Sequence, residues 1–128
     1  MAKKILTADD SPVIRKALAR LFDDEAAYEL CKQAQNGREA IEIALECKPD
    51  LIILDLSMPV KNGIQAAKEL KTLMPDVPIF LFTMHAQAVE RGAENCIDVV
   101  VPKSQPNVLL NHVKAFLLNE TRVRPRAI

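Results

Sequence analysis

The stretch Leu51-Ile-Ile-Leu-Asp-Leu-Ser-Met-Pro59 constrains the fold of this chain more than any other. Four apolar residues run into a single acid, Asp55, and a Met58-Pro59 turn follows. A short unbroken apolar run between turn residues reads as a strand buried on both faces, the kind found in parallel sheets. Asp55 then stands at the carboxyl end of a central strand, where ligands and chemistry gather in open α/β sheets. Taken alone, such an acid is as readily a loop cap, so the weight falls on what converges with it.

The rest of the chain supplies the partners such a strand needs. Lys4 to Ala8 reads as a first strand ending in Asp9-Asp10, and Ser11-Pro12 opens a helix with a hydroxyl cap and a proline in the first turn. Tyr28 to Ala34 reads as a second strand, broken by Asn36-Gly37 before a helix over Arg38 to Lys48. Asn62-Gly63 starts another helix, and the prolines of Pro75-Asp-Val-Pro78 end it. Ile79 to Phe82 is a second all-apolar strand closed by Thr83, and a short, thinly apolar helix is expected from Ala86 to about Glu94. Ile97 to Val101 is the fifth strand, followed by Pro102 and Lys103, and a last helix runs from about Gln105 to Asn119. This β-α alternation implies α/β architecture: one doubly wound, five-stranded parallel sheet with right-handed crossovers and helices on both faces.

With 128 residues there is material for one core and not two. We expect one domain over residues 1–120. The segment 121–128, with three arginines and a proline, reads as a tail or linker. Lysine plus arginine and aspartate plus glutamate both number 17, so no basic field favours direct nucleic acid binding by this segment. No apolar run suits a membrane span or a signal core, which points to a cytoplasmic protein. The three cysteines, Cys31, Cys47 and Cys96, lack Cys-x-x-Cys spacing and read as reduced, with neither a disulfide framework nor a zinc site.

The strand ends share one rim: Asp9 and Asp10, then Asp55, Thr83 and Lys103. Two like charges about 4 Å apart cost roughly 4 kcal/mol at an effective dielectric near 20, so three carboxylates need compensation. A hard divalent cation supplies it, and Mg²⁺ suits a few carboxylates completed by water and a phosphate oxygen. Lys103 adds a mobile charge and Thr83 a hydroxyl donor. Three glycines make no phosphate loop, and no serine or cysteine elbow sits beside a histidine. His112 reads as an incidental polar residue of the last helix, and His85, beside Thr83, as incidental or modulatory. A carboxylate nucleophile, Mg²⁺, a hydroxyl and a lysine are the equipment for phosphoryl transfer to aspartate.

These residues, Asp9-Asp10, Asp55-x-x-Met58-Pro59 with Gly63, Thr83 and Lys103, resemble the response-regulator receiver domain, the CheY-like phosphoacceptor of two-component signalling. The likeness runs from about residue 3 to 119. Ala8-Asp-Asp-Ser-Pro12 and Lys103-Ser-x-Pro106 resemble the branch that often precedes helix-turn-helix output domains. The resemblance implies a flavodoxin-like (β/α)5 fold with strand order 2-1-3-4-5. It implies that Asp55 accepts a phosphoryl group from a sensor histidine kinase or phosphotransfer protein, with Mg²⁺ held by Asp10 and Asp55, by Asp9 through water, and by the backbone carbonyl of Ser57. Thr83 and Lys103 would contact the phosphoryl oxygens. The phosphorylated form would switch binding to a downstream protein or output domain, or form a dimer, with no role at a membrane. Such a domain is a switch and not an enzyme in the ordinary sense.

Three positions depart from that pattern. Met84 stands where a small residue usually follows the threonine, Val100 where an aromatic ring usually swings inward, and Glu94-Asn-Cys-Ile97 where Gly-Ala usually precedes the fifth strand. Met84 and Val100 leave open a pseudo-receiver that signals without phosphorylation. A Mg²⁺-dependent phosphohydrolase is disfavoured because Ser57 fills the place of its second, proton-donating acid.

Overall fold

A computed structural model describes residues 2–88 and 95–119. Five strands are present: β1 (Lys3–Ala8), β2 (Tyr28–Leu30), β3 (Leu51–Leu54), β4 (Ile79–Thr83) and β5 (Val99–Pro102). They form one parallel sheet in the order β2-β1-β3-β4-β5. Four helices accompany them among the described residues: α1 (Pro12–Asp23), α2 (Gly37–Cys47), α3 (Gly63–Leu73) and α4 (Pro106–Asn119). The doubly wound architecture expected from the alternation is therefore present. Only a single 3-10 turn, Ala86–Ala88, is described of the short helix expected before β5. Its remainder to Glu94, and the tail 121–128, lie outside the described residues.

The apolar run of β3 explains itself in the packing. Leu51 and Ile53 face α1 and α4, joining Ile5, Phe80, Phe82, Val101, Leu18, Phe22, Leu109 and Val113. Ile52 and Leu54 face α2 and α3, joining Leu6, Ile79, Leu81, Ala40, Ala44, Ala67 and Leu70. A strand with a core on each side has no position for a polar residue until it leaves the sheet. It leaves at Asp55.

The helix starts are set by local chemistry. Ser11 caps α1, its side chain accepting from the Ile14 amide, and Asn36 caps α2 by accepting from Glu39. Asn62 and Gln65 make reciprocal bonds at the start of α3, satisfying two amides that the helix cannot. β2 is shorter than its sequence suggests. After Leu30 the chain leaves the sheet, and only an isolated bridge between Ala34 and Ala8 returns to it.

The cysteines correct the sequence reading. Cys31 and Cys47 form a disulfide, with their α-carbons 6.3 Å apart. They are 16 positions apart in the chain, and α2 doubles back so that its last residue lies beside the end of β2. Spacing alone could not show that juxtaposition.

Val60 carries the one sterically awkward backbone in the β3–α3 loop, with φ 68°. The Lys61 amide donates to the Pro59 carbonyl at 2.7 Å across it, closing a three-residue γ-turn. A β-branched side chain is strained there, and the Val60 side chain is exposed. Val60→Gly should therefore stabilise the domain by about 1 kcal/mol, less what glycine adds to the unfolded ensemble. A urea midpoint unchanged or lowered would contradict this.

Candidate functional site

Asp9 and Asp10 follow β1, Asp55 follows β3, Thr83 ends β4, and Lys103 follows β5. Because the strands are parallel and in register, all five emerge at one rim. Asp9 is 1% exposed, Asp55 5% and Thr83 fully buried, whereas Asp10 is open to solvent.

Each buried group has a partner. One Asp9 carboxylate oxygen, Oδ1, accepts from the Ser11 amide at 2.9 Å. The other, Oδ2, lies 2.7 Å from Lys103 Nζ, which also lies 3.2 Å from Asp55 Oδ2. The ammonium thus bridges the two buried carboxylates, a contact the sequence reading had not anticipated for Lys103. Burial raises the Asp55 pKa, the neighbouring Asp9 charge raises it further, and Lys103 with the Ser57 amide opposes both. Burial by itself would lower the Lys103 pKa, but its hydrogen bond to Asp9 and the two carboxylate charges more than reverse this, leaving it above the ordinary lysine value.

The chain holds this arrangement by close backbone packing. The Asp55 amide donates to the Ala8 carbonyl, and the Asp9 amide to the Ala34 carbonyl. Gly63 presses against the Asp55 peptide: a β-carbon there would lie 2.3 Å from the Asp55 carbonyl oxygen. The Lys103 amide donates to the Thr83 carbonyl, tying the β4 and β5 rim residues together. Thr83 Oγ1 accepts from the His85 amide at 3.1 Å, which leaves the hydroxyl proton to be donated. So His85 acts through its backbone, its side chain lying exposed. Met84 is 71% exposed and does not fill the pocket, and Val100 is exposed on β5.

Two supports were not apparent from sequence. Arg15 donates through Nη1 to the Asp9 carbonyl at 2.8 Å. Gln33 donates to Thr7 Oγ1 and to the Arg15 carbonyl, joining the β2–α2 segment to the β1–α1 turn. For Arg15 a signal existed: helical side chains lean toward the N-terminus, so a residue one turn past the Ser11 cap reaches back to the strand end. Gln33 lies in the stretch that reads as the end of the second strand, but the chain leaves the sheet after Leu30, so no strand pattern could aim its side chain.

Asp9, Asp10 and Asp55 each offer a carboxylate oxygen, all within 4.8 Å of one another. An octahedral ion with bonds of about 2.1 Å has opposite ligands about 4.2 Å apart, so the spread of these oxygens suits a Mg²⁺ that takes some of the carboxylates directly and another through water. The all-oxygen donor set and the open side at Asp10 fit that ion.

The sequence matches the family described as the response regulator receiver domain over residues 5–114. The chemotaxis protein CheY of Halobacterium salinarum is 35% identical, the alignment covering 85% of this chain and 92% of that protein. A protein-glutamate methylesterase/protein-glutamine glutaminase of Vibrio cholerae is 34% identical over 96% of this chain, which spans about a third of that relative (33%). Among solved structures, the response regulator TrrA of Thermotoga maritima, in complex with Mg²⁺ and BeF, superposes with a TM-score of 0.82 at 33% identity, covering 88% of this chain and 97% of that one. A LuxR-family two-component response regulator from Aurantimonas superposes with a TM-score of 0.83 at 27% identity, over 93% of this chain and 87% of that one.

Proposed function

Since the chain belongs to the response regulator receiver family of two-component signalling, we propose that Asp55 is its phosphoacceptor and that phosphorylation switches partner binding. The observation that carries this reading is the buried Asp9–Lys103–Asp55 cluster at the strand-end rim. A carboxylate raised in pKa by burial is a stronger base than one in water. It is held rigidly by a strand buried on both faces.

In this reading Asp55 Oδ attacks the phosphorus of a phosphohistidine on a sensor kinase or phosphotransfer protein, and the imidazole leaves. Lys103 moves its ammonium from the carboxylates to a phosphoryl oxygen, and the Thr83 hydroxyl donates to another. Asp10, Asp55 and the Ser57 carbonyl would hold Mg²⁺, with Asp9 acting through water; the ion would neutralise charge on the transferring group. Acceptance of the phosphoryl group and its later hydrolysis are single events of a switch, without turnover of a separate substrate.

The partners proposed are the kinase and a downstream protein or output domain, with dimerisation on phosphorylation as one form of output. No helix among the described residues is long and apolar enough to cross a membrane, and we place the domain in the cytoplasm with its kinase. The receiver unit is taken to end near residue 120.

Incubation with acetyl phosphate and Mg²⁺ should add one phosphoryl group on Asp55, seen by intact mass and lost in Asp55→Asn. Absence of an adduct from the wild-type protein would favour an interaction module that works without phosphorylation. Met84 directly follows Thr83 in the chain, and its side chain is exposed. Met84→Ala should accordingly speed labelling by acetyl phosphate a few-fold, and an unchanged rate constant would remove Met84 from the argument.

A further inference from the structure

The Cys31–Cys47 bridge joins the sheet edge to the end of a helix, and both of its anchors lead to the rim. From Cys31 the chain runs through Gln33, which holds Thr7 and Arg15, to Ala34, whose carbonyl accepts from Asp9 and whose amide donates to Thr7. From Cys47 the route runs along α2 to Gly37. The Gly37 amide donates to the Lys61 carbonyl, in the loop that follows Asp55. A β-carbon on Gly37 would lie 2.3 Å from that carbonyl oxygen, so helix and loop are in contact with no slack. One covalent bond therefore closes a frame around both carboxylate-bearing strand ends.

Cys31 is buried and Cys47 part-buried. A groove of about 590 Å3, lined by Lys32, Gln33, Gln35, Glu39, Glu46 and Cys47, opens onto the Cys47 side of the bridge. A thiol can reach Cys47 there, while Cys31 is screened. Exchange needs access to only one of the two sulfurs. Disulfides in a reducing compartment are characteristically transient or redox-sensing rather than structural.

We propose that Cys31 and Cys47 form a redox modification site, a reversible disulfide exchanged by thiols at Cys47, whose closed form braces the phosphoacceptor rim. This regulation rests on the reading of Asp55 given above. Reduction by a dithiol proceeds through a mixed disulfide. The attacking thiolate bonds to Cys47 Sγ, the Cys31 thiolate leaves and takes a proton, and the reductant's second thiol displaces Cys47. The protein gains two thiols and the reductant becomes a disulfide.

The full chain should be equilibrated with glutathione and glutathione disulfide, or with dithiothreitol, then alkylated after denaturation and digested. The oxidised sample should show one alkylated cysteine and a Cys31–Cys47 linked peptide, the reduced sample three alkylated cysteines. Reduction should lower the melting midpoint by roughly 5–10 °C, from the loop of 16 residues it opens, and should slow Asp55 labelling by acetyl phosphate. Cys31→Ser/Cys47→Ser should behave as the reduced protein and ignore dithiothreitol. Glutathione adducts or three free thiols in place of the linked peptide would overturn the site. A linked peptide with equal melting and equal labelling in both states would overturn the brace. Should Asp55 take no phosphoryl group in either state, the phosphoacceptor reading fails, and thiol count and melting decide the bridge alone.

Discussion

Lys103→Met is expected to destabilise the domain by about 3–5 kcal/mol at pH 7 without divalent cation, because it leaves two buried carboxylates uncompensated. The methionine matches most of the lysine's apolar length, so the loss reports the charge. Its pH dependence has a definite sign. The Asp55 pKa is raised by burial and by Asp9, and in wild type Lys103 opposes that rise. Without the ammonium the folded-state value climbs further. The unfolded chain then gives up its proton near pH 4 while the folded one still holds it, so stability falls as pH rises through that interval. The variant should thus be nearly as stable as wild type near pH 4 and diverge toward neutrality. In the wild-type protein Lys103 itself contributes stability that is present below its ordinary value and lost as pH climbs through its raised one. Urea midpoints from pH 4 to 7 check the prediction. A loss independent of pH would assign the role of Lys103 to its methylene packing instead.

Gly63→Ala is expected to be the most damaging single methyl at the rim. The added β-carbon would meet the Asp55 carbonyl oxygen at 2.3 Å, the Asp55 carbonyl carbon at 3.0 Å and the Leu56 α-carbon at 3.0 Å. All three are backbone, so no side chain can swing aside. Either α3 lifts away, losing the Gly63 amide bond to the Leu56 carbonyl, or the Asp55 peptide moves. The stability cost should be about 2–3 kcal/mol, as for overpacking in a tight interior. The functional cost should exceed it, since a displacement near 1 Å at a reacting group can cost on the order of a hundredfold in rate. Acetyl phosphate labelling slowed at least tenfold, in protein shown folded by its urea transition, is the expected result. Wild-type labelling with reduced stability would show that the glycine serves packing alone.

Much of this was legible because its signals are local. Apolar runs ending in Asp55 and Thr83, the Ser11-Pro12 and Asn62-Gly63 helix starts, and the β-α alternation each declare themselves within a few residues. Strand-end position then brings Asp9, Asp55, Thr83 and Lys103 to one rim without further information, because parallel strands share a direction. What stayed hidden is what depends on the third dimension. The sequence offers Lys103 as a cation for phosphate, while the folded chain gives it Asp9 and Asp55. The Cys31–Cys47 bond depends on how far α2 doubles back, which no spacing encodes. Val13 fits the helical spacing of α1 yet is exposed, since the sheet meets only the Leu18 and Phe22 side of that helix. Tyr28 to Ala34 has the composition of a strand, but β1 pairs continuously with only its first three residues and meets it again at one isolated bridge, Ala34 to Ala8.

The sheet is bounded on one side by β2, three residues long, and on the other by β5, four residues long and ending at Pro102. Neither edge presents a long row of unpaired amides and carbonyls, and proline has no amide to offer. Another chain therefore cannot gain much by extending the sheet. Recognition by the proposed partners would then pass through side chains on the helices and at the rim, where sequence can vary between one signalling pair and the next. Copies of the domain can be crowded together without zipping edge to edge.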